Sequence, residues 1–318
     1  MPAKLFDCLA ISSPSFSLHP QLVSEAKVLA KKIVINSSGV KFDATSLAKF
    51  LNEAKADAAI IGTDPLTSSA VSSLQYLKAI GKYGVGCDNI DLVAVKEKGI
   101  HFGWEGGVNR RSVSELVLGF MLGHQRNIFR SVDRMQRGVW QKNGGVQLSE
   151  KTVGIVGFGF IGTDIAGLLR PFNCKIIVHD ILNKKDAARS AGGTQVTFDE
   201  LLKESDVITF HVPGGAGTRG LLGKNEIERL KTNALVINTS RGEIVDFSSI
   251  EAAVKSRKIA AYASDVFPVE PLNSQEFSIE NGFYFTPHIG GNADEAVLAM
   301  GRSAINGLRN YWPGSQQV

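Results

Sequence analysis

Short apolar runs alternate with amphipathic stretches along the first hundred residues. The runs have the length of buried strands, and the stretches between them space apolar residues at helical intervals. Strands regularly followed by helices are typical of a parallel sheet covered on both faces. The predicted strands are LFDCLAIS, KIVINSS, ADAAIIG, YLKAIGK and GIHFGW, and the predicted helices are PQLVSEAKVLAKK, TSLAKFLNEAK and IDLVAVKEKG.

A second series of the same kind begins at KTVGIVGFG. Before it, residues 112–137 predict one long helix, which opens with Ser112 and Glu115 as a capping box. After it, NADEAVLAMGRSAINGLRNYW predicts a helix long enough to return to the first series. Two serial α/β units predict two doubly wound domains. The strands of the second unit are TVGIV, KIIVHD, DVITFH, ALVINTS, AAYASDV and FYFTPH.

Length and composition agree with two folded domains. The chain has 318 residues, and single cores seldom grow past roughly 250–300 residues. Hydrophobic residues make up 43% and charged residues 21%, which excludes disordered and fibrous classes. The net charge is +4, with basic residues scattered along the chain. A nucleic-acid-binding surface needs a clustered basic stripe, so we expect small anionic ligands and no nucleic-acid partner.

The cysteines and apolar segments predict a cytoplasmic protein. Cys8, Cys87 and Cys174 are far apart and lack CxxC spacing, so neither a disulfide framework nor a zinc site is expected. The first residues lack the apolar core of a secretory signal. No segment approaches the roughly 18 apolar residues of a membrane helix. We therefore expect no membrane partner and no metal.

The hexapeptide GFGFIG, Gly157–Gly162, fits the dinucleotide-binding pattern G-x-G-x-x-G. The pattern alone is weak, but an apolar strand precedes it and a helical stretch follows it. In that context Gly157 makes the tight turn, Gly159 admits a pyrophosphate, and Gly162 lets helix pack on strand. Phe160 and Ile161 complete the motif at the helix N-terminus, which favours an anion.

The next strand ends in Asp180, 18 residues after Gly162. Such patterns place a ribose-binding acid about 20 residues on. A carboxylate there repels a 2′-phosphate, so NAD is predicted in preference to NADP, although Lys184 and Lys185 could weaken that preference. The alternative is a glycine-rich turn beside a surface aspartate.

Five strands of the second unit end in polar residues. Ligands of open parallel sheets bind beyond the carboxyl ends of the strands, so these residues predict one site. They are Asp180, His211, Arg241, Asp265 and His288.

Among six histidines, His288 is the predicted acid/base and His211 its rival. His19, His101, His124 and His179 are interpreted as structural. Glu270, between Pro268 and Pro271, could orient His288 by bonding to one imidazole nitrogen, which fixes the tautomer. Arg241 could bind a carboxylate with its planar fork. From spacing alone, Glu270 is more often a solvated loop acid and Arg241 a surface ion-pair residue.

Four motifs in this order, KTVGIVGFGFIG, NTSRGEIVD, ASDVFPVEP and TPHIGG, resemble the D-isomer-specific 2-hydroxyacid dehydrogenases. GKYGVGCDNIDL and VNRRSVSELVLGFML are similar to that family's substrate-domain loop and linking helix. The likeness extends from about residue 50 to 312. It is phosphoglycerate dehydrogenase-like, and because the sequence stops soon after the last predicted helix we expect no C-terminal regulatory domain.

The resemblance implies a flavodoxin-like substrate domain, residues 1–102 plus 291–318, and a Rossmann NAD domain, residues 103–290, with a cleft between them. It implies that Arg241, Glu270 and His288 are catalytic: Arg241 binds a 2-oxo acid, and His288 protonates its carbonyl as hydride arrives from NADH. Backbone N–H groups of Gly84, Val85 and Gly86 would bind the carboxylate. Besides the residues already assigned to the cofactor, the implied NAD contacts are His211, Val212, Pro213, Thr239, Ser240, Arg241, Asp265, His288 and Gly290.

The chain departs from the family after HVP, where GGAGTRG is expected to loosen a cofactor loop near Val212 and Pro213. Arg110 and Arg111 are either a solvated helix start or an anchor for an acidic or phosphorylated substrate. A homodimer is expected, with Glu115–Arg126 as a candidate surface or, equally, a buried helix. Two other functions stay open: an NAD-sensing corepressor-like module, and oxidation of formate or phosphite.

Overall fold

The structure is a computed structural model that describes residues 4–273 and 276–311. The chain forms two compact units. One comprises the described part of residues 1–109 and 294–318, and the other that of residues 110–293. The boundaries predicted from sequence fall within seven residues of these junctions.

The first unit is built on a five-stranded sheet in the order β2-β1-β3-β4-β5, in which every neighbouring pair is parallel. This is the doubly wound order of flavodoxin-like proteins, as predicted. All five predicted strands are present. They are β1 (Phe6–Ile11), β2 (Ala30–Ile35), β3 (Ala58–Ile61), β4 (Ala79–Lys82) and β5 (His101–Gly103).

The predicted helices of this unit are present, one of them shortened, and two further short helices, Pro14–Ser17 and Ser68–Ser73, were not predicted. The apolar spacing of residues 20–32 predicts a single helix, but that helix ends at Ala26 and Ala30 begins β2. The helices are α1 (Pro14–Ser17), α2 (Pro20–Ala26), α3 (Ala44–Glu53), α4 (Ser68–Ser73), α5 (Leu92–Glu97) and the Asp294–Arg309 helix.

The Asp294–Arg309 helix returns to the first unit, as its length predicted. It lies so close to the sheet that a Cβ at Gly103 would be 2.3 Å from the Cα of Gly307. Alternate residues of β1 enter different cores: Leu9 and Ile11 pack on the side of this helix, and Ala10 packs on the other. Burial on both faces explains why these strands are continuous apolar runs.

The second unit contains a seven-stranded parallel sheet in the order β12-β11-β10-β9-β6-β7-β8. This is the Rossmann order with one added strand, and it reverses between β6 and β9. The strands are β6 (Thr152–Val156), β7 (Lys175–His179), β8 (Gly193–Gln195), β9 (Val207–Phe210), β10 (Leu235–Asn238), β11 (Ala261–Ser264) and β12 (Phe283–Phe285).

Helices cover this sheet, and the described part of the chain contains none long and apolar enough to cross a membrane. Short 3₁₀ turns occur at Arg170–Phe172 and Gly242–Ile244. The helices are α6 (Arg110–Gln125), α7 (Ile128–Gln136), α8 (Phe160–Leu169), α9 (Lys185–Ser190), α10 (Phe198–Glu204), α11 (Lys224–Glu228) and α12 (Phe247–Lys255).

The predicted helix 112–137 is wrong in two respects. It begins at Arg110, and it is broken at Asn127, whose φ of 54° is left-handed. Ser112 therefore lies inside α6 and is not a cap: its hydroxyl donates to the carbonyl of Gly290 at 2.6 Å. Strand β8 was not predicted, because its three residues, GTQ, carry no apolar run.

Candidate active site

His288 lies in a turn that follows β12, the outermost strand of the second unit. Its φ is 55°, a left-handed value that costs a non-glycine residue about 1–3 kcal/mol. Its N–H donates to the carbonyl of Thr286 at 3.0 Å, which tightens the turn. The side chain is 53% exposed, so this conformation presents the imidazole rather than burying it.

The carboxylate of Asp265, which is 1% exposed at the end of β11, holds this turn in place. Its Oδ1 accepts from the Thr286 hydroxyl at 2.6 Å and from the Ile289 N–H at 2.7 Å. Its Oδ2 accepts from the Gly290 N–H at 2.7 Å. Three hydrogen bonds to one buried anion offset the strain at His288, because such bonds are stronger than neutral ones.

Glu270 orients the ring of His288. Its Oε2 lies 2.8 Å from Nδ1 of the imidazole, and its Oε1 accepts from the N–H of Phe267 at 3.0 Å. Because a carboxylate only accepts, Nδ1 carries the proton and Nε2 is left to exchange one with a ligand. The structure thus brings together the two residues that the sequence predicted as an acid/base pair.

Arg241 follows β10 in a turn shaped by buried Asn238. The amide of Asn238 donates to the carbonyl of Arg241 at 2.9 Å and accepts from the Ser240 N–H at 3.1 Å. A Cβ at Gly242 would lie 2.1 Å from the carbonyl carbon of Phe267. Only glycine lets the turn bearing Arg241 contact the loop bearing Glu270 this closely.

The three glycines of GFGFIG adopt the geometry their motif predicts. Gly157 has a φ of 90°, and a Cβ there would be 2.5 Å from the carbonyl oxygen of His211. A Cβ at Gly162 would meet the carbonyl oxygen of Gly157 at 2.2 Å, whereas one at Gly159 would meet nothing within 4 Å. The loop therefore leaves open space only where a pyrophosphate would approach the start of α8.

Asp180 lies beside this loop and fixes it. Its Oδ2 accepts from the Phe158 N–H at 2.8 Å, and its Oδ1 accepts from the Leu182 N–H at 2.9 Å. A carboxylate has about four acceptor positions, so two bonds leave capacity for ribose hydroxyls.

Two buried polar atoms at the same edge of the sheet, Oγ1 of Thr239 and Nδ1 of His211, have no hydrogen-bond partner among the described residues. Such atoms are rare and call for a ligand or another explanation. Together with the open space at Gly159, they fit a bound dinucleotide.

His211, the rival acid/base, is unsuited to that role. Burial lowers the pKa of its ring from the usual 6.5 to about 3. Its Nε2 is 2.8 Å from the Thr209 hydroxyl. The ring is therefore neutral near pH 7 and held by its neighbour.

The GGAGTRG segment is tied down rather than loose. Glu243 accepts from the Gly215 N–H at 2.7 Å and forms an ion pair with Arg219 at 2.5 Å. The Thr218 hydroxyl donates to the carbonyl of Pro213 at 2.6 Å. Glu243, which the sequence reasoning overlooked, thus joins the predicted cofactor loop to the turn of Arg241.

The four remaining histidines contact other groups of the protein. His19 caps α2 by accepting from the Leu22 N–H, and His101 bonds the carbonyl of Gly307. His124 lies 3.3 Å from the Tyr284 hydroxyl, and His179 lies 3.3 Å from the carbonyl of Val196.

Arg111 forms an ion pair with Asp164 on α8 at 2.8 Å.

In the first unit, the loop of Gly84, Val85 and Gly86 follows strand β4, which lies between β3 and the edge strand β5. Gly84 has a φ of 115°, which only glycine adopts readily. Within the described part of the chain, none of the three N–H groups donates a hydrogen bond. Successive unpaired N–H groups form a concavity suited to an anion.

The described residues contain no cluster of three or more His, Cys, Asp or Glu able to hold a metal ion.

Comparisons with known proteins agree with these features. Residues 118–290 match the model of the D-isomer specific 2-hydroxyacid dehydrogenase, NAD binding domain. The chain is 36% identical over 252 residues to D-3-phosphoglycerate dehydrogenase of Methanocaldococcus jannaschii, covering 78% of this chain and 48% of that protein. It therefore spans about half the length of that relative.

Two other proteins match over most of their length. Glyoxylate reductase of Thermococcus litoralis is 35% identical over 261 residues, 79% of each chain. The crystal structure of D-lactate dehydrogenase from Aquifex aeolicus, complexed with NAD and lactic acid, has a TM-score of 0.79 and 26% identity, covering 94% of this chain and 93% of that one.

The matched segment includes GFGFIG, Asp180 and the His288 turn, so the cofactor of this unit is NAD. The chain belongs to the D-isomer-specific 2-hydroxyacid dehydrogenase family.

Proposed function

We propose that this protein is an NAD-dependent oxidoreductase that interconverts a D-2-hydroxy acid and its 2-oxo acid. The single observation that carries the proposal is the His288–Glu270 pair, joined at 2.8 Å beside the carboxyl edge of a Rossmann sheet. Carbonyl reduction needs a proton donor at oxygen, and an oriented imidazole supplies it near neutral pH. Oxidation of formate or phosphite would need no proton relay to a carbonyl oxygen.

In this proposal His288 acts through Nε2. In reduction the ring gives its proton to the carbonyl oxygen, and in oxidation it takes the hydroxyl proton back. When bound, the reduced nicotinamide supplies the hydride for C2 of the substrate. Glu270 holds Nδ1 through a hydrogen bond and thereby fixes the tautomer and the orientation of the ring.

Substrate binding is assigned to Arg241 and to the loop Gly84–Gly86. The guanidinium can make two parallel hydrogen bonds to a carboxylate, which an ammonium cannot. The N–H groups of the loop, in the first unit, are neutral donors suited to a carboxylate. The first unit would then serve as the substrate domain and the second as the cofactor domain.

Cofactor binding is assigned to the GFGFIG loop, Asp180 and the strand ends of the second unit. Phe160 is 59% exposed at the start of α8, where it can cover a dinucleotide. Oγ1 of Thr239 and Nδ1 of His211 would form hydrogen bonds with the cofactor. Ile161, Val212, Pro213, Ser240 and Gly290 are assigned to lining the same edge, and Asp265 to the nicotinamide end in addition to its bonds with the turn.

A substrate panel tests the proposal. Glyoxylate, hydroxypyruvate, pyruvate and 3-phosphohydroxypyruvate are each mixed with NADH, and absorbance at the NADH band is followed, with chiral analysis of the product. We expect turnover of at least one acid to the D-hydroxy product. Tight NADH binding without turnover of any acid would instead indicate a sensor, and turnover of formate or phosphite alone would contradict the proposed reaction.

We also propose a cytoplasmic homodimer. No disulfide joins the three cysteines, all of which lie in the described part of the chain.

The predicted surface Glu115–Arg126 is a poor candidate for the dimer interface, because its large apolar residues Val117, Phe120 and Met121 pack inside the second unit. Helix α7 instead exposes Ile128, Val132 and Met135 on one stripe, at 47%, 51% and 52%. Sedimentation of Val132→Glu against the native protein tests this surface: a dimer should become a monomer.

A further inference from the structure

The loop Gly84–Gly86 is held by two side chains, Trp104 and Lys82. Trp104, in the segment after β5, donates its indole N–H to the carbonyl of Val85 at 2.9 Å. Lys82, the last residue of β4, donates its ammonium to the carbonyl of Tyr83 at 3.2 Å and to that of Gly62 at 2.7 Å. The directions of two carbonyls, that of Tyr83 just before the loop and that of Val85 within it, are therefore fixed.

These carbonyls determine where the neighbouring N–H groups point. In a trans peptide, the C=O of one residue and the N–H of the next lie in one plane and point in opposite directions. Among the described residues only the Glu270–Pro271 bond is cis, so both peptides are trans. Fixing the Tyr83 carbonyl directs the Gly84 N–H away from Lys82. Fixing the Val85 carbonyl directs the Gly86 N–H away from Trp104.

We propose that Trp104 and Lys82 are positioning residues that pre-orient the Gly84 and Gly86 N–H groups for the substrate carboxylate. The inference rests on the proposed function of this loop and adds the groups that set its geometry. Neither side chain needs to touch the substrate. A preorganised donor binds an anion more tightly, because no reorganisation accompanies binding.

The two residues differ in environment. Lys82 is 2% exposed, so its charge also raises the electrostatic potential beneath the loop in a region of low dielectric. Trp104 is 45% exposed and acts through one neutral hydrogen bond. The contribution of Lys82 should therefore exceed that of Trp104.

The test uses Trp104→Phe, which keeps an aromatic ring but removes the donor. KM for the best 2-oxo acid should rise about three- to tenfold, the effect of one hydrogen bond, with kcat and the Kd for NADH nearly unchanged. The Kd for oxalate, measured by calorimetry with the NADH-bound enzyme, should weaken by the same factor. Tyr76→Phe is the matched control, because it removes a polar hydrogen from another aromatic residue of this unit that is 41% exposed.

Lys82→Met should raise KM about tenfold or more, since bonds from a charged group are stronger, and Lys82→Arg should recover part of the loss. If Lys82→Met does not fold, Trp104→Phe alone decides. Native KM and oxalate affinity in Trp104→Phe would overturn the inference, as would a parallel loss of kcat and NADH binding. If the native protein turns over no 2-oxo acid and does not bind oxalate, the proposed function fails and the inference fails with it.

Discussion

The two sheets present different chemistry at their carboxyl edges. The seven-stranded sheet presents side chains: an imidazole, its carboxylate partner and an arginine. The five-stranded sheet presents main-chain N–H groups in a glycine loop. Both depend on left-handed residues, but His288 is held by a buried anion, whereas Gly84 adopts its φ without strain. A site made of side chains can be predicted from residue types, whereas a site made of main-chain N–H groups can be recognised only from the backbone conformation.

The largest expected effect comes from removing the side-chain chemistry. In His288→Ala we expect kcat to fall about 10²- to 10⁴-fold, the usual range for a lost acid/base, with NADH affinity nearly native. Steady-state rates and NADH fluorescence titration measure the two quantities. Glu270→Gln, which keeps a hydrogen-bond acceptor without the charge, should lie between this variant and the native enzyme. Native activity in His288→Ala would remove the imidazole from the mechanism.

A smaller effect is expected from altering the main-chain site. In Gly84→Ala the φ of 115° becomes strained, and the new Cβ lies 3.4 Å from Nζ of Lys82. The strain, of order 1–3 kcal/mol, should turn the N–H group and raise the substrate KM about tenfold while kcat changes little. Gly39→Ala is the control, since Gly39 has a φ of 71° and no atom within 4 Å of its added Cβ. Equal KM values in the two variants would contradict a binding role for the loop.

The cofactor edge should respond in selectivity rather than in rate. In Asp180→Ala we expect the ratio of kcat/KM with NADPH to kcat/KM with NADH to rise several-fold, because the carboxylate no longer repels a 2′-phosphate. Binding of NADH should also weaken, since the N–H groups of Phe158 and Leu182 lose their acceptor. Asp186→Ala, a change at an exposed acid of α9, is the control. An unchanged ratio would contradict the ribose assignment.

The smallest effect concerns buried imidazoles, which contrast with exposed His288. Burial lowers the pKa of His124 from 6.5 to about 4. Between these values the unfolded chain binds more protons than the folded one, so stability falls as pH drops from about 6.5 towards 4. One such group contributes a slope of up to about 1.4 kcal/mol per pH unit. The free energy of unfolding, measured with urea at pH 7, 6 and 5, should depend less steeply on pH in His124→Gln than in the native protein. An identical pH dependence would show that His124 does not contribute to it.

Much of the fold was predictable because the strands are buried on both faces. Strands such as β3 (AAII) and β6 (TVGIV) are almost entirely apolar, and all eleven predicted strands are present. The errors occur where tertiary contacts overrule local pattern. Ser112 resembled a cap, but its hydroxyl bonds Gly290 across the unit. Asn127 breaks a continuous apolar pattern through a backbone conformation that composition does not indicate.

In the candidate active site, too, some features could be predicted from the sequence and others depend on tertiary contacts. The Glu270–His288 pairing was predicted from the resemblance of ASDVFPVEP and TPHIGG to the family's motifs, whereas spacing alone is more typical of a solvated loop acid at Glu270. The triple hydrogen bond of Asp265 to the His288 turn was not predicted, since it depends on two backbone N–H groups. Trp104 and Lys82 were missed for a similar reason: their partners are carbonyls, and the residue types alone do not reveal them.

The close approach at Gly242 has a consequence for redesign. With no room for even a methyl group between this residue and Phe267, the segments carrying the guanidinium and the glutamate form one interlocked module. Grafting either segment alone into a homologous scaffold would misplace its counterpart. Transplanting both together, with the glycine retained, should preserve the spacing that the reaction requires.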